Sequence, residues 1–524
     1  MKKNIALLSI VFLALLYINY RNLNIGFLSN YSIDEYAFHG SLLNMYDGLM
    51  TFDIKKLFSF SFYSYGFSFF FLNLLAASPF IASGNTEMAI YIPRVITALF
   101  AVGSAWYIYK IARMYIDEYS SILISFILFT MPGFWKNAMW FHPDWMMTFF
   151  SVLAIYFLAK DNWNFKKYFW WSSVSFGISI ATKIQAITFL PVVFIFIFYD
   201  NITHRYLKDI FFKIKLLFKY IGISIALFVL TNPYLIHPTG FKAFISSFIV
   251  NMKSNATNHG LNVKVSISSK IYNAIDVYYL NYILFYFLIL LSLSLVIFLF
   301  NREKKKSMFP ILGCYFCINI VYLFLMVNKD WQHYYLSIFT IAPLLLISLL
   351  LKFDKYKYVY LATIISLQII SHISNYKFEL STGFHQKRAL SLVKQKEISN
   401  ILLKELSGQT SNKTNILISS YQPFDYKKLG LSYENINVLY EPIDLSMINL
   451  DAFLEKSVTK DSTNFKKMDL VILSKQDIYF DDQKIKSGKY SKSLEIIENF
   501  NKNGDLGYEK FADNKYFYIW KKVK

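Results

Sequence analysis

Runs of about 17 to 25 apolar residues recur from the N-terminus to about residue 375, each long enough to cross a hydrocarbon core of roughly 30 Å. No other feature constrains the fold as strongly. Hydropathy, broken at charge clusters, places spans near 5–20, 90–109, 120–136, 145–159, 168–182, 186–200, 217–232, 277–300, 308–327, 334–351 and 358–375. With 55% hydrophobic residues among 524 and a mean hydropathy of +0.36, lipid is the main solvent of the chain. The expected fold class is membrane all-α, a polytopic bundle of about 11 transmembrane helices, with an extracytoplasmic α/β domain at the C-terminus. The expected domains are 1–375, with extracytoplasmic loops 21–89 and 233–276, and 376–524.

The net charge of +20 raises the question of nucleic acid. The basic residues, however, fall in short clusters between apolar spans rather than on one patch, so they read as topology signals and nucleic acid is not an expected partner. Lys2/Lys3, Lys110/Arg113, Lys160/Lys166/Lys167, Arg205 to Lys219, Arg302 to Lys306 and Lys352/Lys355/Lys357 all fall on one side, the cytoplasmic side by the positive-inside rule. An odd number of spans starting inside then puts 376–524 outside, with loops 21–89, 137–144, 233–276 and 328–333. The expected location is the plasma (inner) membrane, multi-pass, and the first span reads as a retained anchor because no small-residue cleavage site follows it.

The 21–89 loop, with Phe58-Ser-Phe-Ser-Phe-Tyr-Ser-Tyr-Gly-Phe, suits short helices lying in the interface. In the tail, Asn415-Ile-Leu-Ile-Ser, Ile436-Asn-Val-Leu-Tyr, Asp469-Leu-Val-Ile-Leu and Tyr516-Phe-Tyr-Ile-Trp read as strands, and Lys387 to Leu406 spaces its apolar residues as a helix face. Cys314 and Cys317, three apart inside a span, read as small hydrophobic residues.

Every candidate for chemistry falls on the outer side. Asp34 and Glu35 are adjacent acids after the first span: a solvated pair, or a pair whose mutual repulsion and partial burial poise one as a general base. His142-Pro143-Asp144 stands between the third and fourth spans, where Asp144 either caps the fourth helix or faces an outer cavity with His142 as an acceptor-binding group. Lys183 lies at the outer turn after the fifth span, against the positive-inside trend; it either snorkels to the interface or binds a lipid-linked phosphate. Arg94 has the same potential role. In Asn328-Lys329-Asp330-Trp331-Gln332-His333-Tyr334-Tyr335, Lys329 and His333 offer cationic or hydrogen-bonding groups to a phosphate, and the aromatic residues equally suit an interfacial belt.

No His-Glu-x-x-His, Walker loop or Gly-x-Ser-x-Gly elbow occurs, so cytoplasmic nucleotide chemistry has no visible home. No metal site is expected; Asp34, Glu35 and Asp144 offer oxygens to a divalent cation without demanding one.

Taken in order, Asp34-Glu35, Arg94, His142-Pro143-Asp144, Ala181-Thr182-Lys183 and Thr231-Asn232-Pro233-Tyr234 resemble the GT-C membrane glycosyltransferases related to protein O-mannosyltransferases and lipid A aminoarabinose transferases. The resemblance covers roughly residues 1–350 by motif order and topology, and more loosely the C-terminal domain. It implies a hexosyl- or pentosyltransferase that moves a monosaccharide from a polyprenyl-phosphate donor to a hydroxyl of a lipid, glycan or protein acceptor at the extracytoplasmic face, with inversion. It further implies that Asp34 is the catalytic base and that Lys183 and Arg94 hold the donor phosphate; Glu35 beside the base is expected to orient Asp34 or the acceptor. Two departures stand out. Where many relatives carry Arg-Tyr before a late span, this chain has Gln332-His333-Tyr334, and Tyr63-Ser64-Tyr65-Gly66 lacks the Pro-Pro often found there. Rival readings are a polysaccharide polymerase or ligase, an oligosaccharyltransferase, or a transporter or flippase. Trp170-Trp171 is followed by Ser172 rather than by the Asp of the oligosaccharyltransferase signature, and a transporter would want ionisable residues near mid-membrane and repeated halves.

Overall fold

The computed structural model describes residues 2–21, 33–60, 62–204, 209–257, 264–299, 306–381, 392–419, 429–431, 436–439, 468–474 and 507–523. The chain divides into two compact units. The first comprises Met1–Tyr20, Ala37–Phe248 and Val265–Leu380, and the second Arg21–Tyr36, Ile249–Lys264 and Ser381–Lys524.

In chain order the helices are α1 (Lys2–Arg21), α2 (Ile33–Met50), α3 (Ile54–Leu57), α4 (Phe67–Ala82), α5 (Thr86–Ala112), α6 (Glu118–Phe129), α7 (Pro132–Ala138), α8 (Asp144–Asp161) and α9 (Lys167–Thr182). There follow α10 (Leu190–Ile197), α11 (Tyr199–His204), α12 (Ile210–Leu230), α13 (Pro238–Thr257), α14 (Ile267–Ser269), α15 (Asp276–Tyr278) and α16 (Tyr282–Leu299). The bundle closes with α17 (Met308–Leu325), α18 (Leu336–Ile341), α19 (Ile347–Lys352) and α20 (Lys357–Ser381). The expected spans fall largely on helix, with breaks at 130–131 and 279–281 and a 3₁₀ stretch at the start of 186–200. Among the described residues, five helical runs are both long and apolar enough to cross a membrane: Lys3–Tyr20, Glu87–Ala112, Tyr282–Leu299, Met308–Leu325 and Gln332–Lys352. Phe67–Ala82, Glu118–Phe129 and Ile184–Ile197 are shorter apolar helices.

Local chemistry sets the breaks. Asn85 and Asp117 accept from Met88 N and Ser120 N and so start α5 and α6. The span expected over 120–136 is divided because Pro132 has no N–H to continue α6 and instead occupies the first turn of α7, where none is needed. At the α8–α9 turn the Asp161 carboxylate accepts from Phe165 N, Lys166 N and Phe169 N, which satisfies the exposed donors at the start of α9.

Small polar residues seam the bundle. The hydroxyls of Ser151 on α8 and Ser179 on α9 lie 2.8 Å apart, and Ser179 Oγ donates to Met147 O. Between α9 and α12, Ser173 Oγ donates to Tyr220 O and Gly177 lies against Ser224 O. In lipid, where burial of apolar surface favours no particular helix pair, such close approach and hydrogen bonding supply the specificity.

The aromatic stretch of the 21–89 loop differs from its expected interfacial role. Phe60, Phe67, Phe69 and Phe70 are buried and pack with Phe38, Phe141, Tyr234 and Leu235 into one core cluster. α4, 16 residues long, carries much of it and lies against α5 and α9.

In the second unit, helix α21 (Leu392–Leu406) accompanies a mixed five-stranded sheet of β1 (Ile416–Ser419), β2 (Ile436–Leu439), β3 (Leu470–Ser474), β4 (Tyr508–Asp513) and β5 (Phe517–Lys522), ordered β2-β1-β3-β5-β4. β1 pairs in parallel with β2 and β3, whereas β5 runs antiparallel to β3 and β4. Ile416, Leu417 and Ile418 are all buried, as a central strand covered on both faces requires. Residues 387–391 of the expected helix lie outside the described residues.

Candidate functional site

The site grows from one backbone junction. α9 ends at Thr182, and Lys183 leaves it in extended conformation, where it forms an isolated antiparallel bridge with Tyr65. Gly66 N donates to Thr182 O at 2.8 Å. Asn232 then locks the junction: its Oδ1 accepts from Phe67 N at 2.7 Å and its Nδ2 donates to Ala181 O at 3.3 Å. A Cβ at residue 66 would stand 1.6 Å from Ala181 O, so only glycine permits this approach.

Held this way, the Lys183 ammonium reaches Asp144 at the first position of α8. Its Nζ donates to Asp144 Oδ1 at 2.6 Å, and His142 Nδ1 pairs with Asp144 Oδ2. The residue preceding α8, Pro143, offers no side-chain cap, and the Asp144 carboxylate turns to Lys183 and His142 instead of capping its own helix. Asp144 and His142 are 0% and 1% exposed and Lys183 only 5%, so the lysine is not snorkelling to an interface. Tyr65 and Tyr334 present their rings to its ammonium at 5.4 and 5.3 Å, within the range of cation–π attraction.

The Gln332–Lys352 run begins with a 3₁₀ turn, Gln332–Tyr335, that carries His333 to the same place. Its ring lies 5.2 Å from that of His142, and Trp140 stacks on His142 at 4.3 Å. Gln332 is anchored from behind, where Asn137 Nδ2 donates to its Oε1 at 2.7 Å and Tyr279 Oη to its backbone oxygen at 2.6 Å. One potential ligand atom from each of His142, Asp144 and His333 lies within 4.8 Å of the others, a spacing that suits a metal ion by donor type and distance. The Lys183 ammonium, however, already neutralises Asp144, so a cation here would have to displace or share that pairing.

Thus four of the seven expected site residues, His142, Asp144, Lys183 and His333, form one buried cluster. Arg94 is fully buried within α5. Asp34 and Glu35 occupy the first turn of α2, in the part assigned to the second unit, with Asp34 half-buried and Glu35 2% exposed. Sequence reasoning did not select Tyr65, Tyr334, Trp140 or the Asn137–Gln332 pair as site residues. Each sits within a motif already singled out or beside one, and proximity to His142, Lys183 and His333 was the available signal.

Residues 69–236, from α4 to the turn after α12, match the family model described as dolichyl-phosphate-mannose-protein mannosyltransferase. No curated protein sequence matches the chain significantly. Among solved structures, ArnT from Cupriavidus metallidurans bound to undecaprenyl phosphate superposes with a TM-score of 0.54 at 10% identity, over 98% of this chain and 97% of that one. The oligosaccharyltransferase of Archaeoglobus fulgidus in its apo form superposes at 0.50 with 12% identity, over 90% of this chain and 69% of its own. The same enzyme tethered to an acceptor peptide containing the NVT sequon superposes at 0.50 with 11% identity, over 98% and 74%.

Proposed function

We propose that this chain, a GT-C membrane glycosyltransferase by fold and by its family segment, moves a monosaccharide from a polyprenyl-phosphate donor to a hydroxyl acceptor at the extracytoplasmic face of the inner membrane. The match of residues 69–236 to a dolichyl-phosphate-mannose-dependent family carries the reading most directly, because that stretch supplies His142, Asp144 and Lys183. The likeness in fold to an ArnT bound to undecaprenyl phosphate supports the same class of donor.

In this reaction Asp34 accepts the proton of the acceptor hydroxyl as its oxygen attacks the anomeric carbon. The bond from that carbon to the phosphate oxygen breaks, and polyprenyl phosphate leaves with the electron pair. A single displacement inverts the anomeric centre. Glu35 orients Asp34, and Asp144 with His142 receives the acceptor. Lys183, Arg94 and His333 offset the charge that grows on the leaving phosphate. The Lys183–Asp144 pair refines these roles. A phosphate that recruits the ammonium weakens its hold on Asp144, so donor arrival and the electrostatics of the acceptor side are coupled through one 2.6 Å contact.

Transfer of a lipid-linked glycan to a peptide is the second reading, favoured by the fold likeness to the Archaeoglobus fulgidus oligosaccharyltransferase. Purified protein incubated with a panel of polyprenyl-phosphate monosaccharides decides between them. Consumption of one monosaccharide donor supports the first, whereas inertness toward all of them with turnover of a pyrophosphate-linked oligosaccharide supports the second.

A further inference from the structure

Behind the candidate site a lysine is used in a way that neither topology nor phosphate binding explains. Lys270 lies in a single π-helical turn, Lys270–Ile275, and is 1% exposed. Its Nζ donates to Leu323 O at 2.9 Å, to Phe324 O at 2.8 Å and to Val327 O. Leu323 O and Phe324 O are orphan acceptors in the last turn of α17, the negative end of its dipole, where a cation is best placed, and Val327 O follows just beyond the helix. Three carbonyl contacts use all three protons of the ammonium.

The same segment holds the loop beyond α17 at further points. Val265 N donates to Asn328 Oδ1, Ser269 Oγ donates to Asp330 Oδ2 at 3.1 Å, and Tyr279 Oη donates to Gln332 O at 2.6 Å. From Leu323 to Gln332 the chain is therefore pinned by residues 265–279, and the next residue is His333, which meets His142 and Asp144. α17 has no C-terminal glycine: the residue after it, Met326, keeps ordinary helical backbone, and Lys270 supplies a side-chain cap from elsewhere.

The geometry points to Lys270 as a positioning residue: it caps α17 and, with Ser269 and Tyr279, splints the 328–332 loop so that His333 is held against His142 and Asp144. The splint is a property of the fold alone, whereas its effect on a lipid phosphate rests on the function proposed above. Removing the ammonium takes this donor from two buried carbonyls and one part-buried one, and the cost falls on the loop nearest them. Arginine, with its fork of donors, restores several of those bonds; methionine restores none.

The test compares full-length wild type, Lys270→Met and Lys270→Arg in detergent, by amide hydrogen exchange and by binding of undecaprenyl phosphate. Lys270→Met is expected to raise exchange across 328–335 by about tenfold or more and to weaken undecaprenyl phosphate binding by about tenfold, with exchange in α5 and α8 unchanged; Lys270→Arg recovers most of both. Unchanged exchange across 328–335 in Lys270→Met overturns the splint, whatever the lipid does. Raised exchange with unaltered lipid affinity overturns the link from splint to site. Should wild-type protein bind no undecaprenyl phosphate, the proposed donor class falls, and the exchange measurement still decides the splint.

Discussion

At the scale of residues, the Lys183–Asp144 pair governs what mutation can reveal. Both groups are buried and 2.6 Å apart, so removing Asp144 strands the ammonium without its carboxylate, and removing Lys183 leaves Asp144 only its contact with His142. Lys183→Met and Asp144→Asn are each expected to lose about 3–5 kcal/mol of stability, and the double variant to recover most of it, as thermal unfolding in detergent will show. Equal, additive losses would mean that the pair is not coupled. Catalysis is probed elsewhere, at Asp34. An amide there keeps the shape of the acid but cannot accept a proton near neutral pH, so Asp34→Asn should lower turnover by about 10²- to 10⁴-fold while expression and donor binding persist. Glu35→Gln should be milder, and near wild-type turnover by Asp34→Asn with a verified donor would remove the base assignment. His142, Asp144, Lys183 and His333 were legible in the sequence as one acid, two imidazoles and a misplaced lysine at apparent span ends. Their pairing was not, because a cation 39 residues from its partner in sequence announces nothing of the contact. Lys270 was illegible for the same reason: a lysine in a polar loop looks solvated until the carbonyls around it are seen.

At the scale of elements, helix existence was largely written in hydropathy and helix continuity was not. Pro132 could be read, yet its consequence for the expected 120–136 span depended on where α6 ended. The phenylalanines of the 21–89 loop were read as interfacial because aromaticity alone does not distinguish a membrane surface from a protein core. Strand β4 escaped notice since Tyr508–Asp513 buries only Tyr508 and shows little apolar alternation. The element-level device most open to test is the Tyr65–Lys183 bridge. Gly66→Ala would drive a Cβ into backbone at Ala181 O and should cost about 1–3 kcal/mol or more, with loss of monodisperse protein on detergent size-exclusion. Gly222→Ala on α12 is the matched control. No atom lies within 4 Å of that added Cβ, and helix propensity favours alanine by about 1 kcal/mol, so it should be neutral or stabilising. Equal tolerance of both substitutions would show that the junction relaxes.

At the scale of the whole molecule, the GT-C fold expected from motif order agrees with the structural likeness to ArnT across nearly the full chain. Which side of the membrane carries the site is a separate question, answered so far by charge asymmetry alone. On the proposed topology, clusters such as Lys352, Lys355 and Lys357 face the inside, and an odd span count would carry the 21–89 loop and the tail to the outside. Thr51, Ser411 and Lys355 are all exposed, so each accepts a cysteine that a membrane-impermeant maleimide can reach. Neither natural cysteine competes strongly, since Cys314 is buried and Cys317 partly so on α17. In intact cells Thr51→Cys and Ser411→Cys should label, and Lys355→Cys only after permeabilisation. Because every expected span but the first lies between Thr51 and Ser411, their joint labelling requires an even number of crossings between them, and labelling of only one would break the odd-count topology. Labelling of Lys355→Cys in intact cells, with the other two protected, would invert the protein and withdraw the extracytoplasmic site.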